Sequence, residues 1–231
     1  MNIIDVTEKI PICNYSKGRI DRATGKTYLP EGVVLHITAD SKRGQAVSHF
    51  KNPVSGVSAN YVIEKNGDIF KCVDPLNKAY HCGEVHEPTA KIYYDKGSVN
   101  PNLYLIGVEC VSSGEPLTIE QYTSLMWLLK ELNDTFNIVL DRYHVIGHYE
   151  LDSVTRKNDP VASYSVDEVM KDLGVINLNW KEILGKVSSN PADWEKAITT
   201  AQNAAKADGS LGGLEIFAFL PQLIEKIYNT K

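Results

Sequence analysis

The chain has 231 residues, enough for one large domain or for one domain with a smaller appendage. Hydrophobic residues make up 43% and charged residues 23%, values typical of a globular protein with a buried core. The net charge of −5 argues against nucleic acid as the main partner. No segment approaches the ~18 consecutive apolar residues of a membrane-spanning helix, so we expect no membrane insertion.

The cysteines and the N-terminus indicate where the protein is made. The four cysteines are widely spaced and form no CxxC pair, which favours free thiols in a reducing compartment. The first residues lack a basic stretch followed by an apolar run, so we expect no secretory signal. These features predict synthesis in a cytoplasm, and action outside it would require release by another route.

The first part of the chain predicts strands and one short helix. Residues 1–31 are rich in turn formers and predict an N-terminal strand and loop. Residues 33–38 are apolar and β-branched, which predicts a buried strand that carries His36 near its end. Residues 44–50 then predict a short helix that stops before Asn52 and Pro53.

The middle of the chain predicts a hairpin and a central strand. Residues 59–64 and 68–73 read as two strands, and Asn66-Gly67 between them is a strong signal for a tight hairpin. Residues 103–111 are nearly all apolar, which predicts a strand in the interior of a sheet. Glu109 is the one carboxylate in that strand.

Two further helices complete the first domain. Thr118 and Gln121 form a capping box that opens an amphipathic helix to about Phe136, and Ser165 opens a short helix that ends near Gly174. The order of strands and helices predicts an α/β fold, a central mixed β-sheet flanked by helices, over residues 1–175.

Residues 176–231 predict a separate, small C-terminal helical module. From residue 177 the chain contains no histidine, cysteine or arginine, and six lysines balance six acidic residues. Two helices are expected, one opening at Pro191 and one from Leu214 to Tyr228, with a glycine-rich turn between them. The module is expected to serve wall targeting or self-association.

Three distant residues form a candidate metal site. His148 and Asp159 lie in a turn-rich segment that can bring both to one ion, and His36 ends the early strand. Two imidazoles and one carboxylate favour Zn2+ and leave a fourth position for water, whose pKa zinc lowers to roughly 7. Each histidine alone is more often a structural imidazole. His144 is left out, because an extended chain places it about 13 Å from His148.

Several polar residues are candidates for catalysis or substrate binding. Glu109 is either an ion-paired structural acid or a general base whose pKa burial has raised. Lys157 is either a solvated loop charge or an electrophile for a developing oxyanion, and its position beside Asp159 favours the second. Tyr80 and His81 are interpreted as cleft wall, with His81 a possible substrate contact.

Six short motifs, in order, resemble the zinc-dependent type 2 N-acetylmuramoyl-L-alanine amidases, relatives of the peptidoglycan recognition proteins. The resemblance covers roughly residues 30–172. The motifs are Val33-Val34-Leu35-His36, Val57–Ile63, Ala79–Gly83, Ile106–Glu109, Ile146–Glu150 and Arg156–Pro160.

The resemblance implies roles for these residues. His36, His148 and Asp159 would be the metal ligands, and Glu109 and Lys157 the catalytic pair. Ala59 stands where some members have a tyrosine, which points to the branch that uses glutamate. Two positions depart from the family pattern: Asn60 stands where histidine is common, and Val161 follows Pro160 where glycine is usual. Asn60 is assigned to the substrate cleft with Tyr80 and His81.

The expected function is cleavage of the amide bond between N-acetylmuramic acid and L-alanine in bacterial peptidoglycan. A chain made in the cytoplasm with a small C-terminal module resembles the phage endolysins, which reach the wall after release, and a bacterial autolysin fits equally well. The alternatives are a recognition module that binds peptidoglycan without catalysis and a zinc peptidase that cuts within the stem peptide.

Overall fold

The computed structural model describes residues 3–176, which form a mixed β-sheet flanked by helices. The strands are β1 (Ile3–Asp5), β2 (Tyr15–Ser16), β3 (Gly32–Ile37), β4 (Tyr61–Ile63), β5 (Ile69–Lys71), β6 (Lys78–Ala79), β7 (Leu105–Cys110) and β8 (Val145–Gly147). The α-helices are α1 (Gln45–Lys51), α2 (Lys91–Asp95), α3 (Ile119–Phe136) and α4 (Val166–Ile176). The predicted fold class is confirmed.

The chain divides into two compact units, Met1–Lys171 and Asp172–Lys231. The helices predicted after residue 177 lie outside the described residues, so the C-terminal module stays a prediction, as does its boundary after residue 175. None of the helices between residues 3 and 176 is long and apolar enough to cross a membrane.

The main sheet has six strands in the order β1-β5-β4-β7-β3-β8. Only the pair β4 and β5 is antiparallel, and it is the hairpin that Asn66-Gly67 predicted. The other four neighbouring pairs are parallel. β7 and β3 each have a strand on both sides, which explains their continuous apolar sequences, because interior parallel strands are covered on both faces. A separate two-stranded sheet joins β2 to β6.

The register of the parallel strands brings three chemically important positions to one edge of the sheet. His36 in β3 pairs directly with Glu109 in β7, so the two side chains lie on the same face. On the other side of β3, Leu35 pairs with Gly147, the last residue of β8. His148 follows immediately. The carboxyl ends of parallel strands are the usual place for ligands in such sheets.

An apolar cluster lies on the same face as His36. Val34, which is two residues before His36 and so on its face of β3, packs in this cluster with Leu105, Ile146 and Leu151. All four are at most 1% exposed. Full burial of one such side chain stabilises the folded protein by about 1.5–3 kcal/mol. His36 therefore lies next to a tightly packed apolar cluster.

Several predicted element ends shift in the structure. The strand predicted from residue 103 begins at Leu105, because Pro101–Leu103 forms a 3-10 turn in which the Asn100 side chain accepts a hydrogen bond from the Asn102 amide. The helix predicted from Gly44 begins at Gln45 and ends at Lys51. The last described helix continues to Ile176, beyond the predicted end near Gly174.

The capping box of α3 forms as predicted. Thr118 Oγ1 accepts a hydrogen bond from the Gln121 amide at 3.1 Å, and the Gln121 side chain accepts one from the Thr118 amide at 3.2 Å. The Thr118 hydroxyl also donates to the Lys65 carbonyl at 2.6 Å and so joins the helix to the hairpin. The cap therefore serves both the helix and the sheet.

Replacing Thr118 by alanine should lower the free energy of unfolding by about 1 kcal/mol, within the usual range of ~0.5–2 for a lost N-cap. Thr135→Ala is the matched control, because Thr135 is exposed near the other end of the same helix. Urea unfolding of both variants measures the difference. Equal stability of the two variants would contradict the role given to the cap.

Candidate metal centre and active site

Three potential metal ligands converge at the carboxyl ends of β3 and β8. His36 is 1% exposed and His148 is 4% exposed, and their Nδ1 atoms lie 3.0 Å apart. Asp159, on the loop after β8, places Oδ2 at 2.9 Å from His148 Nδ1 and 3.6 Å from His36 Nδ1. The three ligand atoms all lie within 4.8 Å of one another.

The hydrogen bonding of His148 shows that the site fits a cation. His148 Nε2 lies 3.0 Å from the Cys82 carbonyl oxygen, which can only accept, so Nε2 carries the hydrogen. In the neutral imidazole, Nδ1 is then a lone pair that faces the Asp159 carboxylate. A cation between His148 Nδ1 and Asp159 Oδ2, which lie 2.9 Å apart, would satisfy both atoms. Two imidazoles and one carboxylate are the donors that zinc accepts with a fourth position open.

The protonation states favour metal binding. Burial, followed by the neighbouring His148, lowers the pKa of His36 to about 4, so this ring is neutral at neutral pH. Burial would raise the pKa of the Asp159 carboxyl, but its interactions with His148 and His36 outweigh this and lower the pKa below its usual value. A neutral imidazole and an ionised carboxylate are the forms that bind metal ions.

Asp159 is held by the backbone as well as by the imidazoles. Its Oδ1 accepts a hydrogen bond from the Ile37 amide at 2.7 Å, immediately after His36 in β3. The Asp159 carbonyl also accepts from the Tyr149 amide at 3.0 Å, next to His148. The loop that carries Asp159 is therefore attached to the same two segments that carry the histidines.

Glu109 lies beside the convergent triad. It is the register partner of His36, and its Oε2 is buried and has no hydrogen-bond partner among residues 3–176. Burial and then the negative charge of Asp159 raise the pKa of Glu109 well above its usual value. A buried carboxyl group with an unused oxygen and a raised pKa is suited to proton transfer.

Lys157 lies on the same loop as Asp159 and is exposed. Its ammonium group makes no hydrogen bond or ion pair with another described residue. The ammonium group of Lys157 is therefore free to interact with a substrate. A role for it in catalysis stays a prediction.

The three residues assigned to the substrate cleft have different environments. Tyr80 is partly buried, and its hydroxyl lies 2.6 Å from Ser16 Oγ. Asn60 is fully buried, where its amide donates to the Val73 carbonyl and accepts from the Gly107 amide. Its polar atoms thus link strands and do not face a cleft in this structure. Substrate binding by these residues stays a prediction.

His81 is 9% exposed and lies against His36. Its Nδ1 is 3.1 Å from His36 Nε2, the nitrogen that points away from the triad. The sequence interpretation placed His81 in the cleft wall and did not identify this contact with a ligand. The motif around His81 indicates that this segment belongs near the site. It could not indicate the contact with His36, because the two residues are 45 positions apart in the sequence.

His144 is not part of the triad. Its Nδ1 lies 2.7 Å from Asp141 Oδ1, and Val145–Gly147 is an extended strand that separates it from His148. The extended conformation predicted for residues 145–147 therefore keeps His144 away from His148.

Replacing Gly107 by alanine should destabilise the protein by roughly 1–3 kcal/mol, the usual cost of overpacking a filled core. A Cβ atom at this position would lie 2.5 Å from His81 Cγ, too close for either group to remain in place. Gly174→Ala is the control, since no atom of residues 3–176 lies within 4 Å of its Cβ position. Chemical denaturation of both variants is the measurement. Wild-type stability of Gly107→Ala would show that the His81 ring lies elsewhere.

Comparison with solved structures shows the same fold. The catalytic domain of XlyA aligns with a TM-score of 0.53 and 21% identity over 75% of this chain and 99% of that one. The N-acetylmuramoyl-L-alanine amidase LysC from Clostridium intestinale gives 0.52 and 19%, over 75% and 98%. A selenomethionine derivative of AmpD gives 0.53 and 20%, over 69% and 89%. Among curated protein sequences, none matches this chain.

The sequence itself matches a family model. The match to the type 2 amidase family, described as N-acetylmuramoyl-L-alanine amidase, spans residues 26–162, more than half of the chain. This range contains β3, β7 and β8, and with them His36, Glu109, His148 and Asp159. The chain belongs to the N-acetylmuramoyl-L-alanine amidase family.

Proposed function

We propose that this protein is a zinc-dependent peptidoglycan hydrolase that cleaves the amide bond between N-acetylmuramic acid and L-alanine of the stem peptide. The observation that carries the proposal is the convergence of His36, His148 and Asp159 beside Glu109. Membership of the amidase family and the likeness to amidase and endolysin catalytic domains support it.

His36, His148 and Asp159 would hold the metal ion through two Nδ1 atoms and a carboxylate oxygen. Zinc bound there would supply a Lewis acid that polarises the amide carbonyl and lowers the pKa of water. Glu109 takes the proton from the attacking water and then delivers it to the leaving amine of L-alanine. Burial and the charge of Asp159 raise the pKa of Glu109 well above its usual value, which makes its carboxylate a stronger base.

Lys157 is proposed to stabilise the negative charge that develops on the carbonyl oxygen. A donor of this kind contributes on the order of 10²–10³ in kcat. Its position on the loop of Asp159 and its freedom from ion pairs with residues 3–176 support this role.

Zinc stoichiometry combined with mass spectrometry of digested peptidoglycan tests the proposal. We expect one zinc per chain and products in which the stem peptide has a free L-alanine amino group. Cuts within the stem peptide would show a zinc peptidase instead. Binding to peptidoglycan without any cleavage would show a recognition module.

For residues 176–231 we propose a module for wall targeting or self-association. Removing residues 177–231 should weaken binding to intact cell walls or change the oligomeric state, measured by sedimentation with walls and by light scattering. If both properties are unchanged, the module has neither role.

A further inference from the structure

We propose that the dipeptide His81-Cys82 orients both imidazole ligands of the metal site. The His81 ring accepts a hydrogen bond from His36 Nε2, and the Cys82 carbonyl accepts one from His148 Nε2. His81 is thereby a positioning residue. The inference rests on the proposed metal site, because it explains how that site keeps its geometry.

With a metal ion on His36 Nδ1, the contacts favour one set of tautomers. If His36 Nδ1 holds the metal ion, its hydrogen is on Nε2, which lies 3.1 Å from His81 Nδ1. His81 Nδ1 must then be the acceptor, so His81 carries its own hydrogen on Nε2. That nitrogen lies 3.4 Å from the Leu105 carbonyl oxygen, which can only accept. A fixed carbonyl thus sets the tautomer of His81, and His81 sets that of His36.

The dipeptide is held in place from two sides. The His81 ring packs directly over Gly107 in β7, where even a methyl group would lie 2.5 Å from Cγ. The Asn102 side-chain carbonyl accepts from the amides of His81 and Cys82, each at 3.1 Å. Nearby, the buried Arg19 guanidinium donates to the carbonyls of Asn102 and Leu105 at 2.9 and 3.0 Å. The acceptor for His36 is therefore rigid.

One other donor approaches the same nitrogen. Cys82 Sγ lies 3.4 Å from His81 Nδ1. A thiol is a weak donor, so it does not displace the imidazole of His36. With His36 Nε2 and the Cys82 thiol as donors, both contacts fit an unprotonated His81 Nδ1.

Two variants of similar shape distinguish the effect of losing the hydrogen-bond acceptor from the effect of changing the packing at His81. His81→Asn places an amide oxygen near the position of Nδ1, whereas His81→Leu has the same number and branching of heavy atoms and no acceptor. Loss of an outer partner of a metal ligand typically costs about 10–100-fold in metal affinity. We expect this loss in zinc affinity for His81→Leu, measured on the full chain by competition with a chelator, and a much smaller loss for His81→Asn.

Proton NMR of the zinc-loaded full chain gives a second readout. The His36 Nε2 proton should exchange slowly in the wild type and in His81→Asn, and rapidly in His81→Leu. Equal zinc affinity of the two variants, in a wild type that binds zinc, would overturn the inference and leave the proposed function standing. A wild type that binds no zinc would overturn both.

A measurement on the wild type alone covers the case in which a variant does not fold. In nitrogen-15 spectra of the zinc-loaded protein, His81 Nδ1 should have the shift of an unprotonated nitrogen and show coupling to His36 Nε2 across the hydrogen bond. A protonated His81 Nδ1 would overturn the inference.

Discussion

Glu109→Gln should lower kcat for cleavage of the muramoyl amide by about 10²–10⁴-fold, the usual contribution of general acid–base catalysis. Glutamine has the same shape as glutamate but can neither take the proton of water nor give it to the leaving amine. The proposed role of Glu109 as the proton carrier rests on its raised pKa and on its buried Oε2, which has no hydrogen-bond partner among residues 3–176. Rates on purified muropeptides measure the effect.

Measuring the zinc content of the Glu109→Gln variant shows whether a lower kcat reflects lost proton transfer or lost metal. Glu109 is not among the three convergent ligand residues, so the variant should keep wild-type zinc stoichiometry. Glu131→Gln is the matched control, because Glu131 is exposed on α3, and it should have wild-type kcat. A Glu109→Gln enzyme with wild-type kcat would remove Glu109 from the mechanism.

Asp159→Asn should reduce zinc affinity by more than 100-fold and abolish activity at limiting zinc. Loss of an outer partner of a metal ligand costs about 10–100-fold, and loss of a charged ligand should cost more. The amide oxygen of asparagine can still accept from the Ile37 amide, which Asp159 Oδ1 now does at 2.7 Å. The variant therefore removes the charge at Oδ2 and keeps the attachment of the loop.

Competition with a chelator measures the affinity, and circular dichroism of the metal-free protein confirms that the variant folds. Asp134→Asn is the control, since Asp134 is an exposed carboxylate on α3. Undiminished zinc binding by Asp159→Asn would show that the metal has other ligands. Activity restored by excess zinc would instead agree with the assignment.

Local features of the fold could be predicted because their causes are local. The Asn66-Gly67 turn and the Thr118 capping box each depend on residues within a few positions, and both form as expected. The extended conformation of Val145–Gly147 follows from β-branching and glycine, and it removes His144 from the metal site. The mixed sheet follows from the alternation of strand and helix signals along the chain.

Features that depend on long-range packing could not be predicted. Nothing in the local sequence indicates that β7 lies between β4 and β3, or that Glu109 and His36 are register partners. The ring of His81 could not be placed, because its position depends on the absence of a side chain at Gly107. Likewise, nothing in the local sequence indicates that the buried Asn60 side chain donates to the Val73 carbonyl and accepts from the Gly107 amide. Its assignment to the substrate cleft stays a prediction.

The pairing of His36 with Glu109 across β3 and β7 has a consequence for protein engineering. Adjacent strands are held about 4.8 Å apart by the backbone ladder, so this ladder sets the distance between Glu109, the proposed base, and His36, the proposed metal ligand. The connecting segments at that edge do not set it. Chimeras that graft such segments from another amidase, but keep residues 148–159 with His148, Lys157 and Asp159, should therefore alter which bacterial walls are digested while the chemical step itself is preserved.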